Sequence, residues 1–572
     1  MTTKLGTIRL ATLAAGLSAA CLIAPPEARA ELNFTRLDAY AGAAGNGEIL
    51  GYSVLDHTVA STFGATGVEL LTLSGSGQLS SRGVIDASGV FDSIGDTLAS
   101  ASSVALDPLG RGFGVVSLIP TLNGTNTGKL GLFDFRAGSF ASLNVLDVGF
   151  HPDSVSFSAD GSRIFVANEG EFTSGGATDA PGSLSVVDLS SVGFGTFSTD
   201  LAALTNAAVK TWDFSAANLA AGVGLSDLRY NDISAGALAN PARHIEPEFV
   251  AASGNEVFVT LQENSGIAVF DLTTEKWERV MALEPIAQVI DASDRDSGIE
   301  VNDLVTGTPM PDAIALYESG GTTYAVTANE GDFRIDDADR IRIKDIDRAD
   351  IDDAAEAALD AIYGDFQDDD ALGRLRVSLF DGDTDGDGDF DQFIMPGTRS
   401  LSIWDTSTGT LVGDTGSLEN VLAVLDPAKH NIDDGLLSEF DARSDDKGPE
   451  PESVTLAEID GRIIAFVGLE RQNGVLALDI TDPANISLDD ITDPAFAGYF
   501  NDLGEFAFYA PESMFYIAGS DSPTGGDVLL VGFENAGGGI GVYSASVVPV
   551  PAAVWMMLSG IGVMVSRRRR GA

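Results

Sequence analysis

Acidic residues recur in this chain at a spacing that lets them act together. Five segments open with proline, an acid, any residue and then an apolar one: Pro152-Asp153, Pro247-Glu248, Pro311-Asp312, Pro451-Glu452 and Pro511-Glu512. A second acid follows each opening by 15 to 22 residues and ends an apolar run: Glu169, Glu263, Glu330, Glu470 and Glu534. Two carboxylates about 6 Å apart repel by roughly 3 kcal/mol at an effective dielectric near 20. Ten brought together must bind cations, hold protons or pair with bases. The plainer reading is that single acids accept hydrogen bonds from turn amides, repeated with the unit that carries them.

A second acidic pattern is more compact. DGDTDGDGDFD places Asp381, Asp383, Asp385, Asp387, Asp389 and Asp391 at alternate positions. Carboxylates at the first, third and fifth places with glycine at the sixth let a tight loop wrap a hard cation. Counted from Asp383, these are Asp385, Asp387 and Gly388, with Asp391 ninth. Ile394 stands twelfth, where an EF-hand needs glutamate, so the expectation is a single Asp-rich calcium loop.

The elements that position these acids are short strands. IFVANEG, VFVTLQENSG, YAVTANEG, AFVGLERQNG and LLVGFENAGG are followed by a third β-pattern: LSVVDL, IAVFDL, LSIWDT, VLALDI and IGVYSA. Alternating apolar residues with Gly, Asn and Asp punctuation read as strands and turns. Three strands and a weaker fourth, repeated, describe a propeller blade. Two degraded units precede these five, one from Glu48 and one from Val104 that lacks both acids. LNFTRLDAY supplies an outer strand for the last unit. The expectation is an all-β, seven-bladed β-propeller with Asp153, Glu169, Glu248, Glu263, Asp312, Glu330, Glu452, Glu470, Glu512 and Glu534 on one rim of its channel.

Long charged connections decorate that rim. Asp291 to Asp296 precede the fifth blade, and residues 332–397 form an insertion within it, with a helical pattern in IDRADIDDAAEAALDAIYG. SEFDARSDDKGPEPES precedes the sixth blade. Bases are scarce, yet Arg295, Arg399, Arg443, Lys447 and Arg471 fall near the acids. They either relieve the carboxylates by pairing or, with calcium, form a phosphate pocket. For the second case Glu452, Arg443, Lys447 and Arg399 are the catalytic candidates. The four histidines, His57, His151, His244 and His430, lack metal-pair spacing, and no zinc motif or phosphate-binding glycine loop is present.

Composition excludes some partners. The chain carries 85 acidic and 32 basic residues, a formal net charge of −53. Nucleic acid is repelled by such a surface, whereas cations or cationic partners are attracted. Lys4 and Arg9, the apolar stretch Leu10 to Ala24 and Ala28-Arg29-Ala30 predict a signal peptide over residues 1–30. Cys21 lies inside it, so the mature chain would have no thiol. Residues 547–572 hold an apolar run from Ala552 to Val565 and then Arg567 to Arg570. That run is short of the roughly 20 residues that span a bilayer. This tail resembles the PEP-CTERM sorting signals of bacteria, with Pro549-Val550-Pro551 in place of Pro-Glu-Pro. The resemblance implies a membrane sorting protease as partner, transient inner-membrane anchoring and a final place at the surface or in the matrix. A plain single-pass anchor is the alternative. The propeller would then occupy residues 31–546.

The segments ARHIEPEFV, DASDRD, MPDAIALYE, VTANEGDFR, LGRLRV, DTDGDGDFD, TRSLSIWD, FDARSDDKGPEPESV and VGLER, in this order, resemble the choice-of-anchor I proteins. That family is similar to the mesenchyme-specific cell-surface glycoproteins of animal biomineralisation, and some bacterial members are called alkaline phosphatases. The resemblance spans roughly residues 33–545 and implies a propeller, surface display and use of Ca2+. Two functions stay open: a calcium-binding surface or matrix protein, or a calcium-dependent phosphoesterase acting on phosphate esters.

Overall fold

The computed structural model describes residues 31–547 apart from 42–46, 137–142, 173–178, 193–196, 231–242, 297, 335, 434–435, 502–508 and 536–537. The expected signal peptide and nearly all of the sorting tail lie outside the described residues. Within them, no helix is long and apolar enough to cross a membrane.

Residues Leu32–Val547 form a compact unit. Among the described residues it holds seven four-stranded antiparallel sheets, giving an all-β, propeller-like architecture. The leading strands of the seven, in chain order, are Leu50–Ser53, Leu98–Leu106, Pro152–Phe157, Pro247–Ser253, Ile314–Ser319, Pro451–Ile459 and Tyr509–Ile517. Each leading strand neighbours the next, and Tyr509–Ile517 neighbours Leu50–Ser53. The seventh sheet takes its outer strand from the far end of the chain: Leu32–Ala41 pairs with Gly539–Val547, from Leu32 opposite Val547 to Ala41 opposite Gly539.

The apolar runs are continuous because these strands are covered on both faces. Ile164, Phe165, Val166 and Ala167 are all buried, as are Ile464 to Val467 and Val528 to Val531. Phe165 and Leu184 of the third sheet pack on Val257 and Val259 of the fourth. Leu71 and Val59 of the first pack on Leu530 and Val542 of the seventh in the same way. Hydroxyls stitch the leading edges: Thr260 Oγ1 donates to Asp312 O at 2.9 Å, and Ser154 Oγ accepts from Val250 N at 2.9 Å.

The acid-bearing turn has a backbone cause. In the third, fourth, sixth and seventh sheets the register slips just after the leading proline, between Pro152 and Val155, Pro247 and Val250, Pro451 and Val454, and Pro511 and Ser513. Proline is tolerated at the first residue of a strand, and a bulge beside it re-aims the next side chain. The residue re-aimed is the acid. In the fifth sheet Asp312 stands just before the strand.

The insertion in the fifth sheet separates Thr322–Asn329 from Ser400–Asp405, and its Ile343, Phe366, Leu375 and Met395 share an apolar cluster with Ile290 and Val305 of the preceding connection. The expected helix is Asp353–Tyr363, whose N-cap Asp352 accepts from Ala354 N and Ala355 N, both at 2.9 Å. The stems of the insertion touch at Gly331 (φ +93°) and Gly397 (φ +68°). A Cβ on Gly331 would lie 2.2 Å from Gly397 N, so only glycine allows this closure beside Glu330.

Candidate functional site

Glu48, Asp153, Glu248, Asp312 and Glu512, the acids that open five sheets, line one cavity of about 360 Å³. Ser102 stands at this place in the second sheet, where an acid is missing, and donates to Pro152 O at 2.6 Å. Burial, followed by the charges of Glu534 and Asp153, pushes the Glu48 carboxyl up to about 7. Burial pushes Asp153 up to about 6. Glu248, Asp312 and Glu512 rise well above the carboxylate range, first through burial and then through one another's neighbours.

Two groups of three glutamates adjoin this cavity, built on the same plan. Glu169, Glu248 and Glu263 each bring a carboxylate oxygen within 4.8 Å of the others, and so do Glu330, Glu452 and Glu470. In each group one acid opens a leading strand (Glu248, Glu452) and one follows that sheet's second strand (Glu263, Glu470). The third follows the second strand of the sheet before (Glu169, Glu330). Each group also contains a buried oxygen with no hydrogen-bond partner in the protein, Glu263 Oε2 and Glu452 Oε2. Buried polar atoms are rarely left so. Clustered all-oxygen donors with such orphans fit a hard divalent cation.

The groups differ in their bases. Lys447 Nζ lies 2.5 Å from Glu330 Oε1 and 3.3 Å from Glu450 Oε2. Arg471 reaches Glu470 Oε1 at 3.1 Å and Glu450 Oε2 at 3.3 Å. Arg443 Nε donates to Glu450 Oε1 at 2.8 Å. Glu450 is fully buried, which alone would raise its pKa, but Lys447, Arg443 and Arg471 hold it far below the usual range. Among the described residues, no lysine or arginine forms an ion pair with Glu169, Glu248 or Glu263. His151 Nδ1 lies 3.3 Å from Glu169 Oε2 and 2.9 Å from Glu171 Oε2. Arg334 is taken up by Glu246 at 3.0 Å and Asp179 at 2.8 Å. Burial drives the carboxyls of Glu169 and Glu263 well above their ordinary values, with Glu246 adding to both.

In the Asp-rich loop, Asp383, Asp385 and Asp391 bring oxygens within 4.8 Å of one another. Asp387 and Asp389 do not join that group, although Asp387 is the main cause that raises the Asp385 carboxyl. Asp383 accepts from Gly386 N at 2.7 Å and Gly388 N at 3.0 Å, which shapes the turn. Asp381 is committed to Arg229 at 2.6 Å.

Some expected residues stand elsewhere. Glu534 is exposed, and its charge reaches Glu48 and Glu512 without joining a three-acid group. Arg399 does not open onto the carboxylates. It is fully buried, pairs with Glu419 at 2.7 Å and donates to the carbonyls of Asp291, Ser444 and Asp446, so it clamps connections together. Glu48, Glu246, Glu450 and Arg334 belong to the site but were not among the expected ligands. Their signal is in the sequence: Glu246-Pro247-Glu248 and Glu450-Pro451-Glu452 repeat an acid on both sides of proline. The outer acid takes the bases and the inner one faces the group.

The family model described as the choice-of-anchor I domain matches residues 48–483. A mesenchyme-specific cell surface glycoprotein of Strongylocentrotus purpuratus is 28% identical over 228 residues, covering 33% of this chain and 28% of that protein. Gigasin-3a of Magallana gigas is 37% identical over 112 residues, covering 18% of this chain and 38% of that protein. The chain thus spans about a third of the length of these curated relatives. Hydrazine synthase of Kuenenia stuttgartiensis superposes with a TM-score of 0.43 at 11% identity, over 89% of this chain and 97% of that one. With the family model matched across most of its length, the protein belongs to the choice-of-anchor I family.

Proposed function

We propose that this is an exported, surface-associated calcium-binding protein, a closed propeller of seven blades whose acidic centre gathers divalent cations. The observation that carries this reading is the pair of three-glutamate groups, each with a buried, unpartnered carboxylate oxygen. Glu169, Glu248 and Glu263 would hold one calcium, and Glu330, Glu452 and Glu470 a second. Asp383, Asp385 and Asp391 would hold a third at the surface. Bound calcium supplies the positive charge that lets these carboxyls ionise together. The chain's own part is to aim them, through the proline bulges, and to keep them dry so that each attraction is strong. The similarity to a cell surface glycoprotein of Strongylocentrotus purpuratus supports the surface-associated part of the reading.

One observation favours a second reading, a calcium-dependent phosphoesterase: Lys447, Arg443 and Arg471 stand beside the Glu330, Glu452 and Glu470 group. In that reading they would hold a phosphate ester against the site. All three already contact Glu450 or a group member, which leaves them less free for an anion and places this reading second.

Calorimetric titration of the purified full chain with calcium tests the first reading. More than one equivalent should bind, and Glu248→Gln should remove one tight site while Glu452→Gln weakens another. Titration with no heat, or with heat lost only in Asp383→Asn, would remove the central sites. Turnover of a chromogenic phosphate ester that requires calcium and Lys447 would instead establish the second reading.

A further inference from the structure

Outside the carboxylate face, a buried cluster joins two connections that flank the fifth sheet. Asp291 lies between the fourth and fifth sheets, and His430 and Asp441 lie between the fifth and sixth. Each of the three offers a ligand atom within 4.8 Å of the others. His430 Nε2 and Asp291 Oδ2 share a hydrogen bond at 3.0 Å, and Asp291 Oδ2 also accepts from Glu300 N at 2.9 Å, which leaves His430 Nδ1 and Asp291 Oδ1 as the open donor atoms. Asp291, His430 and Asn431 have no exposed surface, and Asp441 is 6% exposed.

The unpartnered atoms point to a ligand. Asp291 Oδ1, His430 Nδ1 and Asn431 Oδ1 are all buried without a hydrogen-bond partner in the protein. Three such atoms in one cluster are too many for a settled hydrogen-bond network. The surrounding polar groups are committed: Ser444 Oγ donates to Asp441 Oδ1 at 2.6 Å, and Asn431 Nδ2 donates to Ser444 Oγ at 2.8 Å. Arg399 and Glu419 neutralise each other at 2.7 Å, so neither offsets the two aspartates.

We propose that Asp291, His430 and Asp441 form a buried structural site for a divalent transition metal, distinct from the calcium-type carboxylate groups. One imidazole with two carboxylates is a mixed nitrogen–oxygen donor set, which suits zinc or its neighbours better than calcium. The ion neutralises two aspartates and ties together the connections at 291 and 430–441. The second of these delivers Arg443, Lys447 and Glu450 to the carboxylate face. Because such an ion is bound in the native state alone, its binding adds to folding stability.

The test uses the full chain, stripped with chelator, returned to excess calcium and loaded with zinc. Zinc-edge X-ray absorption of the wild type should show one equivalent of retained zinc with imidazole scattering at about 2.0–2.1 Å. His430→Gln should lose that scattering, His151→Gln should keep it, and Asp441→Asn should keep it with zinc affinity lowered at least tenfold. Failure to retain zinc in the presence of calcium, or purely oxygen scattering in the wild type, would overturn the proposal. So would imidazole scattering that vanishes in His151→Gln. Should His430→Gln fail to fold, the wild-type spectrum and Asp441→Asn still decide.

Discussion

The two three-glutamate groups share a plan and differ in how their charge is relieved. Around Glu330, Glu452 and Glu470 the chain supplies Lys447 and Arg471, with Glu450 and Arg443 completing a buried network. Among the described residues around Glu169, Glu248 and Glu263, His151 stands at the edge, and Arg334, whose charge reaches Glu263, pairs with Glu246 and Asp179. One group is partly balanced from within, although burial still raises Glu330, Glu452 and Glu470, whereas the other must find more of its balancing charge in protons or in a cation. On the proposed reading, the same sheet geometry therefore yields two cation sites of different appetite. The base-poor group should be the tighter cation site and the more sensitive to pH.

The sharpest way to break this contrast is to remove the hub of the base-rich side. Glu450→Gln leaves a buried Lys447 and the half-buried Arg443 and Arg471 around a neutral amide, and should cost about 3 kcal/mol in denaturant unfolding. A loss below about 1 kcal/mol would mean that the network does not balance that group.

Acidity probes the acids that surround the groups. In chelator, Glu48 and Glu246 titrate at about 7 and Asp153 at about 6 in the folded chain, above their ordinary values. The folded state then holds more protons than the unfolded one between roughly pH 4 and 7, so its stability falls as pH rises through that window. The fall should be on the order of several kcal/mol and should shrink when calcium is present, because a cation among the neighbouring glutamates favours the ionised carboxyls. Melting temperatures across this range, with and without calcium, measure it. A chelated chain that gains stability from pH 5 to 7 would contradict the account.

Single glutamates sharpen the comparison further. In chelator at pH 8, Glu248→Gln should stabilise the chain by about 1–2 kcal/mol through lost repulsion, while calcium affinity falls at least tenfold. Glu470→Gln, beside Arg471, should change both less. Equal responses in calorimetry would erase the distinction between the groups. The smallest effect belongs to the exposed loop: Asp391→Asn should leave the melting temperature unchanged yet remove one weak calcium equivalent.

Much of this was legible because strands covered on both faces leave unbroken apolar runs, as in Arg163–Asn168 and Arg462–Leu469. The acid after each proline could be picked out because its spacing recurs with the sheet. What aims it could not, since the slip between Pro152 and Val155 depends on where the partner strand bonds. Glu246 and Glu450 escaped because an acid before proline looks like loop, and its role appears only when Arg334 or Arg443 arrives from another connection. Arg399 was misplaced for a related reason: Glu419, 20 residues onward, captures it within the interior. Asp291 and His430 stand 139 residues apart, so no spacing rule unites them. Only the packing of two long connections against the fifth sheet does so.

The central claim, that the paired glutamate groups are cation sites, is tested most directly by anomalous diffraction from crystals of the chain soaked in manganese as a calcium substitute. The account predicts density among Glu169, Glu248 and Glu263, with weaker density among Glu330, Glu452 and Glu470. Density confined to the loop at Asp383, Asp385 and Asp391, with the six glutamates hydrogen-bonded as neutral carboxyls, would contradict it.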